Sequence, residues 1–430
     1  MINIMTKRSF GTGLAAAVVI TTAGCGDLLD VRNPGIIDAA TVDPAANAET
    51  FSRSALQSFA RSYGDHIIYT AWFTNEMWVG DTFPTRNEFG MRMVDDRNGT
   101  YNNDVYQPLA QALAQSEGAA DFSQEADSPV DYARARLSSG FSLVLMGEAY
   151  CQGVITGGPA LSTQETLGQA IGRFDAAIGA AQGATGTEAA SYHRAAQVGA
   201  ARAHLQLGNY NEAISYASAV PADFEYALPY VDDAGSRTRL GNTVFFYSRG
   251  GSRESLVVPP HYREMGVEFV GGEPVSDGDS RISYFDAAPQ QPQDQTLHFF
   301  SQLKFPTWAS AIRLASGLEA RYIVAEAELH QGSPANALLL INERRAAGGQ
   351  GAFAGTGDAV LAELMDQRSR DFWLEAKRMG DWRRNMGAVP NILQPGDAYY
   401  KDVQGGTVQN QTCWPMPFQE YNSNENIPAP

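Results

Sequence analysis

The chain is 430 residues long and carries 31 lysines and arginines against 48 aspartates and glutamates, a formal net charge of −17. No basic cluster interrupts this acidity, so a nucleic-acid-binding face is not expected, because it would repel phosphate. With 44% hydrophobic residues, 10% aromatics and 42 glycines, the composition supplies a sizeable core and long ordered loops, not a low-complexity chain.

At the amino terminus, Lys7 and Arg8 precede an apolar run from Phe10 to Ile20, which ends in Thr21-Thr22-Ala23-Gly24-Cys25. This is the pattern of a secretory signal over residues 1–24, and the run is shorter than the roughly 20 residues of a membrane-spanning helix. The small residues before Cys25 look like a bacterial lipobox, with Thr22 where leucine is usual. Cleavage would leave Cys25 as a lipidated N-terminus and residues 25–43 as a tether ending in a Leu28-Leu29-x-Val31 patch. The alternative is an ordinary secreted protein with Cys25 free or paired. Acyl chains would supply a membrane affinity that an acidic surface lacks.

The body then runs over residues 44–430. A helix is predicted from Pro44 to Tyr63, with Phe51, Ala55, Phe59 and Ser62 along one side. After it, Tyr69, Trp72, Phe73, Trp78, Phe83 and Phe89 alternate with Asn75, Glu76, Asp81, Arg86 and Asn87. Aromatic faces among amides and charges suit a sugar site, because rings stack on a pyranose and planar groups bond its hydroxyls. About half of these aromatics are expected to belong to the core.

Between about 131 and 220 the helices fall into a rhythm of pairs. Ala203, Leu207, Gly208, Tyr210, Ala213, Tyr216, Ala217 and Pro221 stand where a tetratricopeptide repeat (TPR) expects them, with Gly208 ending one helix and Asn209 capping the next. From about 222 to 310 the helical period lapses into a loop-rich insertion. Short strands are predicted at Asn242–Gly250 and Glu254–Tyr262, and loops over Gly271–Phe285 and Ala287–Phe300. Long insertions on a repeat scaffold are where ligand contacts tend to lie. Asp277-Gly278-Asp279-Ser280 invites a calcium reading, but Ile282 holds the position where an EF-hand loop needs glycine, so no metal is expected.

From 311 to 385 a further hairpin is predicted. One helix carries Leu314, Leu318, Tyr322, Ala325 and Leu329 and stops at Gly332; a second starts at Ser333-Pro334 and stops at Gly348 and Gly349. A third runs from Asp358 as N-cap, with Leu361, Leu364, Met365, Phe372 and Met379 inward. Around it stand Arg368, Arg370, Glu375, Arg378, Arg383 and Arg384, which suggests partly buried ion pairs to another element. Cys151 and Cys413 could pair or be separate buried thiols.

Taken together these parts resemble the SusD/RagB family of outer-membrane nutrient-binding lipoproteins. The resemblance is carried by Cys25 with Asp27-Leu28-Leu29-Asp30-Val31, the repeat at Ala200 to Pro221, and RYIVAEAELHQG with INERRAAGG. It continues in the helix RSRDFWLEAKRMGDWRRN and in the tail CWPMPFQEYNSNENIP, with Pro415, Pro417, Glu420 and Asn424. It implies a mostly α fold, a TPR-like helical hairpin array with loop-rich insertions and a few short strands. It also implies a non-catalytic, lipid-anchored receptor without cofactor, facing the cell surface of a bacterial outer membrane. Such a receptor passes oligosaccharide, or another polymer-derived nutrient, to a TonB-dependent β-barrel of the SusC type. By position, the candidate ligand residues are Trp72, Asn75, Trp78, Arg86, Tyr284 and Trp308; Trp308 could equally be a core plug. Two other classes compete. A TPR-type interaction scaffold would not need the aromatic insertions. A glycoside hydrolase would need two carboxylates, for which Glu76 and Asp81 are the pair to consider. HExxH, G-x-S-x-G and P-loop motifs are absent from the sequence, and its 6 histidines share no ligand-like spacing.

Overall fold

The computed structural model describes residues 43–251, 253–401 and 406–428. The signal sequence, Cys25 and nearly all of the tether lie outside the described residues. The chain opens with helix α1 (Pro44–Phe73), which has proline at its first position, where no N–H is needed. It runs ten residues past the end expected from periodicity. In its second half Tyr63, Gly64, Asp65, His66, Ile67, Ile68, Tyr69, Thr70, Ala71, Trp72 and Phe73 are all buried. A helix surrounded on every side has no polar face, so its period vanishes from the sequence. Strand β1 (Trp78–Val79) and helix α2 (Pro84–Gly90) follow. A π-helical turn, Tyr101–Tyr106, then leads into α3 (Gln107–Glu125).

The repeat region is as expected. Helix α4 (Pro129–Ala149) and α5 (Thr163–Gln182) are joined by the hairpin β2 (Gln152–Val154) and β3 (Ala160–Ser162). Ser162 and Glu165 form a reciprocal capping box at the start of α5. Helices α6 (Thr187–Gln206) and α7 (Tyr210–Ser218) make the next pair, although Asn209 flanks α7 without a side-chain cap bond. Close packing depends on small residues. A Cβ on Gly140 or Gly199 would lie 2.6 or 2.3 Å from the Phe174 ring, which wedges between α4 and α6.

The insertion opens with β4 (Glu225–Leu228), α8 (Arg237–Leu240) and α9 (Thr243–Arg249). Here Asn242–Gly250 is helical, not a strand, because the Asn242 side chain accepts from Phe245 N at 2.9 Å and caps it. Strand β5 (Leu256–Val257) pairs with β1, and α10 (Pro260–Met265) follows. Strands β6 (Gly266–Val270), β7 (Glu273–Pro274), β8 (Asp279–Asp286) and β9 (Phe300–Gln302) form a sheet in the order β7-β6-β8-β9, with β6 and β8 parallel. The segment expected as a loop over Gly271–Phe285 therefore contains the longest strand described, with Ile282 and Tyr284 facing inward. Strand β10 (Ile312–Ser316) pairs antiparallel with β4 and closes the insertion.

Leu314 consequently lies in a strand, and α11 (Gly317–His330) starts after Ser316, whose hydroxyl accepts from Glu319 N. Helix α12 (Ala335–Ala347) begins after Pro334 without a side-chain cap, so Ser333 does not perform that role. Gly332 and Gly349 end α11 and α12 at φ of 86° and 70°, the left-handed conformation glycine takes freely. Helix α11 packs against α7, so the third hairpin stacks on the second across the intervening insertion. The arginine-rich segment is two helices: α13 (Asp358–Asp371), entered from Gly357, and α14 (Arg378–Arg384). Between them Leu374 and Ala376 take φ of 58° and 53°. A short α15 (Phe418–Ser423) lies in the tail. Among the described residues no helix is long and apolar enough to cross a membrane.

Cys151 and Cys413 are disulfide-bonded, with Cα atoms 5.1 Å apart. The bond sits beside a backbone bridge in which Trp414 N donates to Ala149 O and Cys151 N to Trp414 O, both at 2.8 Å. It fastens the tail to the end of α4 across 262 residues of chain. Replacing both cysteines by serine should lower the unfolding free energy by about 2–4 kcal/mol, measured by denaturant titration; an unchanged midpoint would show that the bond is dispensable.

Candidate functional site

The site is built where α1 ends. Asn75 turns the chain with φ of 56°, and its Nδ2 donates to Asn391 O at 3.0 Å. The Trp78 indole N–H donates to Asn75 Oδ1 at 3.0 Å, which fixes the ring. Tyr400 stacks on Trp78 with centroids 4.4 Å apart and planes 7° from parallel, and its hydroxyl accepts from Val79 N at 2.6 Å. Lys401 donates to Val79 O and Asp81 O and pairs with Asp294, tying three loops beneath this pair.

Trp78 is half-buried, and with Phe285 and Leu297 it packs on Val257, Ala287 and Phe299. The Arg249 guanidinium spans the next gap, 5.3 Å from the Phe285 ring and 5.6 Å from that of Phe245. Phe245 in turn meets Trp308 edge-on at 5.4 Å. One strip therefore runs from Trp78 and Tyr400 through Phe285, Arg249 and Phe245 to Trp308. It joins the two sequence segments singled out for ligand contact.

The other expected residues lie deeper. Trp72 is 1% exposed and packed between Tyr69 and Tyr247. Arg86 is 2% exposed, bonded to Asp81 and lying over the Phe83 ring at 4.8 Å. Tyr284 is buried against Phe300, its hydroxyl donating to Arg263 O at 3.2 Å. Trp308 is 7% exposed, held by Phe245, Phe246 and Arg237, so it is a packed end to the strip. Sequence reasoning missed Tyr400, Phe285, Phe245 and Arg249. Tyr399-Tyr400 after the Pro395-Gly396 turn was a usable signal, two adjacent aromatics in an otherwise polar loop; Arg249 carried none.

Glu76 and Asp81 do not form a hydrolytic pair. Asp81 is fully buried, salt-bridged to Arg86 and accepting from Phe83 N at 2.9 Å. Glu76 is buried and accepts from Leu374 N at 2.9 Å. Neither opens on the strip, so neither is placed to protonate a glycosidic oxygen or activate water. Among the described residues no group of His, Cys, Asp and Glu side chains could hold a metal ion. A cavity of about 610 Å³ lies away from the strip, lined by Ser162, Thr163, Gln206, Tyr210, Arg383 and Arg384, and contains none of the expected residues. Arg383 there caps the end of α4 by donating to Gly147 O and Glu148 O, at 3.0 and 2.9 Å.

The arrangement is a helical hairpin array carrying a loop-built, aromatic surface. Residues 307–428 match the model of the SusD family. Among solved structures, the chain is 14% identical to a SusD-like carbohydrate-binding protein from Bacteroides vulgatus, with TM-score 0.69 over 89% of this chain and 97% of that one. It is 14% identical to a SusD superfamily protein from Parabacteroides distasonis, with TM-score 0.64 and coverage of 90% and 99%. Surface glycan-binding protein A from Bacteroides thetaiotaomicron, solved with laminarihexaose, is 13% identical, with TM-score 0.64 and coverage of 89% and 98%. No curated protein matches in sequence. The chain is SusD/RagB-like, in its carboxy-terminal sequence and in its fold.

Two measurements check the placements. Trp72→Ala should cost about 3–5 kcal/mol of stability, as for other fully buried aromatics, whereas Trp78→Ala should cost less than half as much; the reverse order in urea titrations would contradict the burial described. The second concerns Glu76, whose carboxyl burial pushes up to about 7 against the pull of Arg378 and the Leu374 N–H. Unfolded, it titrates near 4.3, so the folded chain holds the proton more tightly and stability falls as pH rises between those values. Glu76→Gln keeps the acceptor for Leu374 N. It should raise the unfolding free energy by roughly 3 kcal/mol at pH 8 and leave it little changed at pH 4; equal effects at both pH values would show the shift is wrong.

Proposed function

We propose that the protein is a cell-surface nutrient receptor that binds oligosaccharide on the strip led by Trp78 and Tyr400. It then passes the ligand to a TonB-dependent barrel of the SusC type. The observation that carries this reading is the face-to-face stacked Trp78–Tyr400 pair, half-exposed and locked by Asn75 and Val79 on loops braced by Lys401. An aromatic ring already held by such a stack needs no rearrangement to meet the apolar face of a sugar, so little ordering entropy is lost on binding. The fold supports the same reading, since a structure of similar architecture holds laminarihexaose. Asn75 acts through its bond to the Trp78 indole, whereas Trp72 and Arg86 are buried and serve the packing of the body. Trp308 ends the strip on its insertion side, while Tyr284 packs in the core on the other face of β8 from Phe285. Anchoring on the outer membrane through Cys25 completes the proposal and accounts for the signal-like run before it.

Binding is tested by calorimetry on the chain beginning after Cys25, against a panel of neutral and acidic oligosaccharides. Trp78→Ala and Tyr400→Ala should each weaken binding of the best ligand by about 1–3 kcal/mol, the range for aromatic hot spots, with unchanged circular dichroism. Wild-type affinity in both variants would remove the platform as the site. Purification from outer membranes under mild detergent should recover a large β-barrel as the dominant partner; recovery without one would sink the transport part.

A further inference from the structure

Arg249 is the cation that lies between the rings of the strip, and it differs from Arg281, Arg313 and Arg237, each of which has a carboxylate partner. Arg281 is held by Asp279 and by Asp371, and Arg313 by Glu375 at 2.8 Å. Arg237 has Asp232 at 3.6 Å. Arg249 has no carboxylate within ion-pair distance among the described residues. Its Nη2 donates to the carbonyl of Pro306 at 3.2 Å, and its Nε is buried without a partner. Burial pushes its guanidinium below the usual range, and no acid offsets that cost. A desolvated charge without a counter-charge is expensive, and most buried arginines among the described residues have a carboxylate partner, while Arg92 and Arg378 are met by backbone carbonyls instead. With 48 acidic residues in the chain, the missing partner does not reflect a shortage of carboxylates.

The surroundings say what would supply it. The guanidinium lies over two rings, Phe285 and Phe245, which hold its plane and leave its remaining N–H groups to a planar or tetrahedral anion. Its half-exposed position keeps it reachable from the strip surface. The nearest acid along β8, Asp286, is taken by His298 at 2.7 Å, and Asp294 by Lys401. Four residues beyond Arg249, at the edge of β5, Arg253 also has a buried Nη1 without a partner among the described residues.

We infer that the strip takes an acidic glycan, whose carboxylate or sulfate ester meets the Arg249 guanidinium while its sugar rings lie on Trp78 and the neighbouring aromatics. This rests on the glycan-binding reading of the same surface and names the substrate class within it. The anion could come from a uronic acid or a sulfated sugar; the chemistry recognised is the same.

The test is a calorimetric panel with three arms: uronic acid oligosaccharides, sulfated oligosaccharides, and neutral ones including laminarihexaose. The strongest binder should be acidic, and by at least ten-fold over its desulfated or methyl-esterified counterpart. Arg249→Gln should remove most of that advantage and Arg249→Lys should retain part of it, read within each variant as the ratio of affinities for the acidic ligand and its neutralised counterpart. Should both variants fail to fold, the wild-type comparison of each acidic ligand with its neutralised counterpart decides alone. A neutral oligosaccharide as strongest binder, or an advantage that survives Arg249→Gln, overturns the inference and leaves the glycan reading standing. Failure of every glycan to bind overturns both.

Discussion

The structure depends on the buried carboxylate of Glu375. Burial alone would raise its pKa, yet Lys304, Arg313 and Lys377 hold it down to about 2. Lys304 reaches it at 2.7 Å from the insertion and Arg313 at 2.8 Å from β10, so one side chain joins segments distant in sequence. Tyr63 from α1 donates to the Glu375 carbonyl at 2.6 Å. The network extends through Lys377 to Glu319 and, beside it, through Arg202 to Glu148 and the carbonyl of Ala376. Such ions are stable inside only because each is met on several sides, and removing one partner would strand the rest.

The break between α13 and α14 is what makes this junction possible. Left-handed turns at Leu374 and Ala376 free backbone groups that a continuous helix would consume. The Leu374 N–H goes to Glu76, and the Ala376 carbonyl to Arg202. Glu76 lies three residues past the end of α1 and next to Asn75. The arginine-rich segment therefore fixes the point from which Trp78 is presented, although no part of it lies on the strip. Rigidity at the junction becomes preorganisation at the surface.

The repeat helices were legible because their signals are local. Gly208 and Gly332, alanines at close helix contacts, and apolar spacing of three or four all act within a few residues. The insertion was less so. Asn242–Gly250 has β-branched and aromatic residues that read as a strand, and a single cap from Asn242 decides for a helix. Residues 279–286 read as loop because Gly278 and the aspartates dominate locally, yet pairing with β6 and β9 makes them a strand. Of the six side chains expected to meet ligand, Trp78 is half-exposed, and Asn75 sits directly beneath it. The others are buried, since an aromatic looks the same in sequence whether it lines a surface or fills a core.

The sequence by itself determined the helical hairpins, their order, the acidic character and the family resemblance, because periodicity, caps and composition are properties of neighbouring residues. Tertiary structure alone decided which aromatics remain at the surface, that Tyr400 stacks on Trp78 from 322 positions away, and that Cys151 pairs with Cys413. It also decided that Arg249 has no carboxylate partner among the described residues. These are contacts between segments far apart in the chain, and only the enclosure of one segment by another settles whether a ring is buried or a charge is matched.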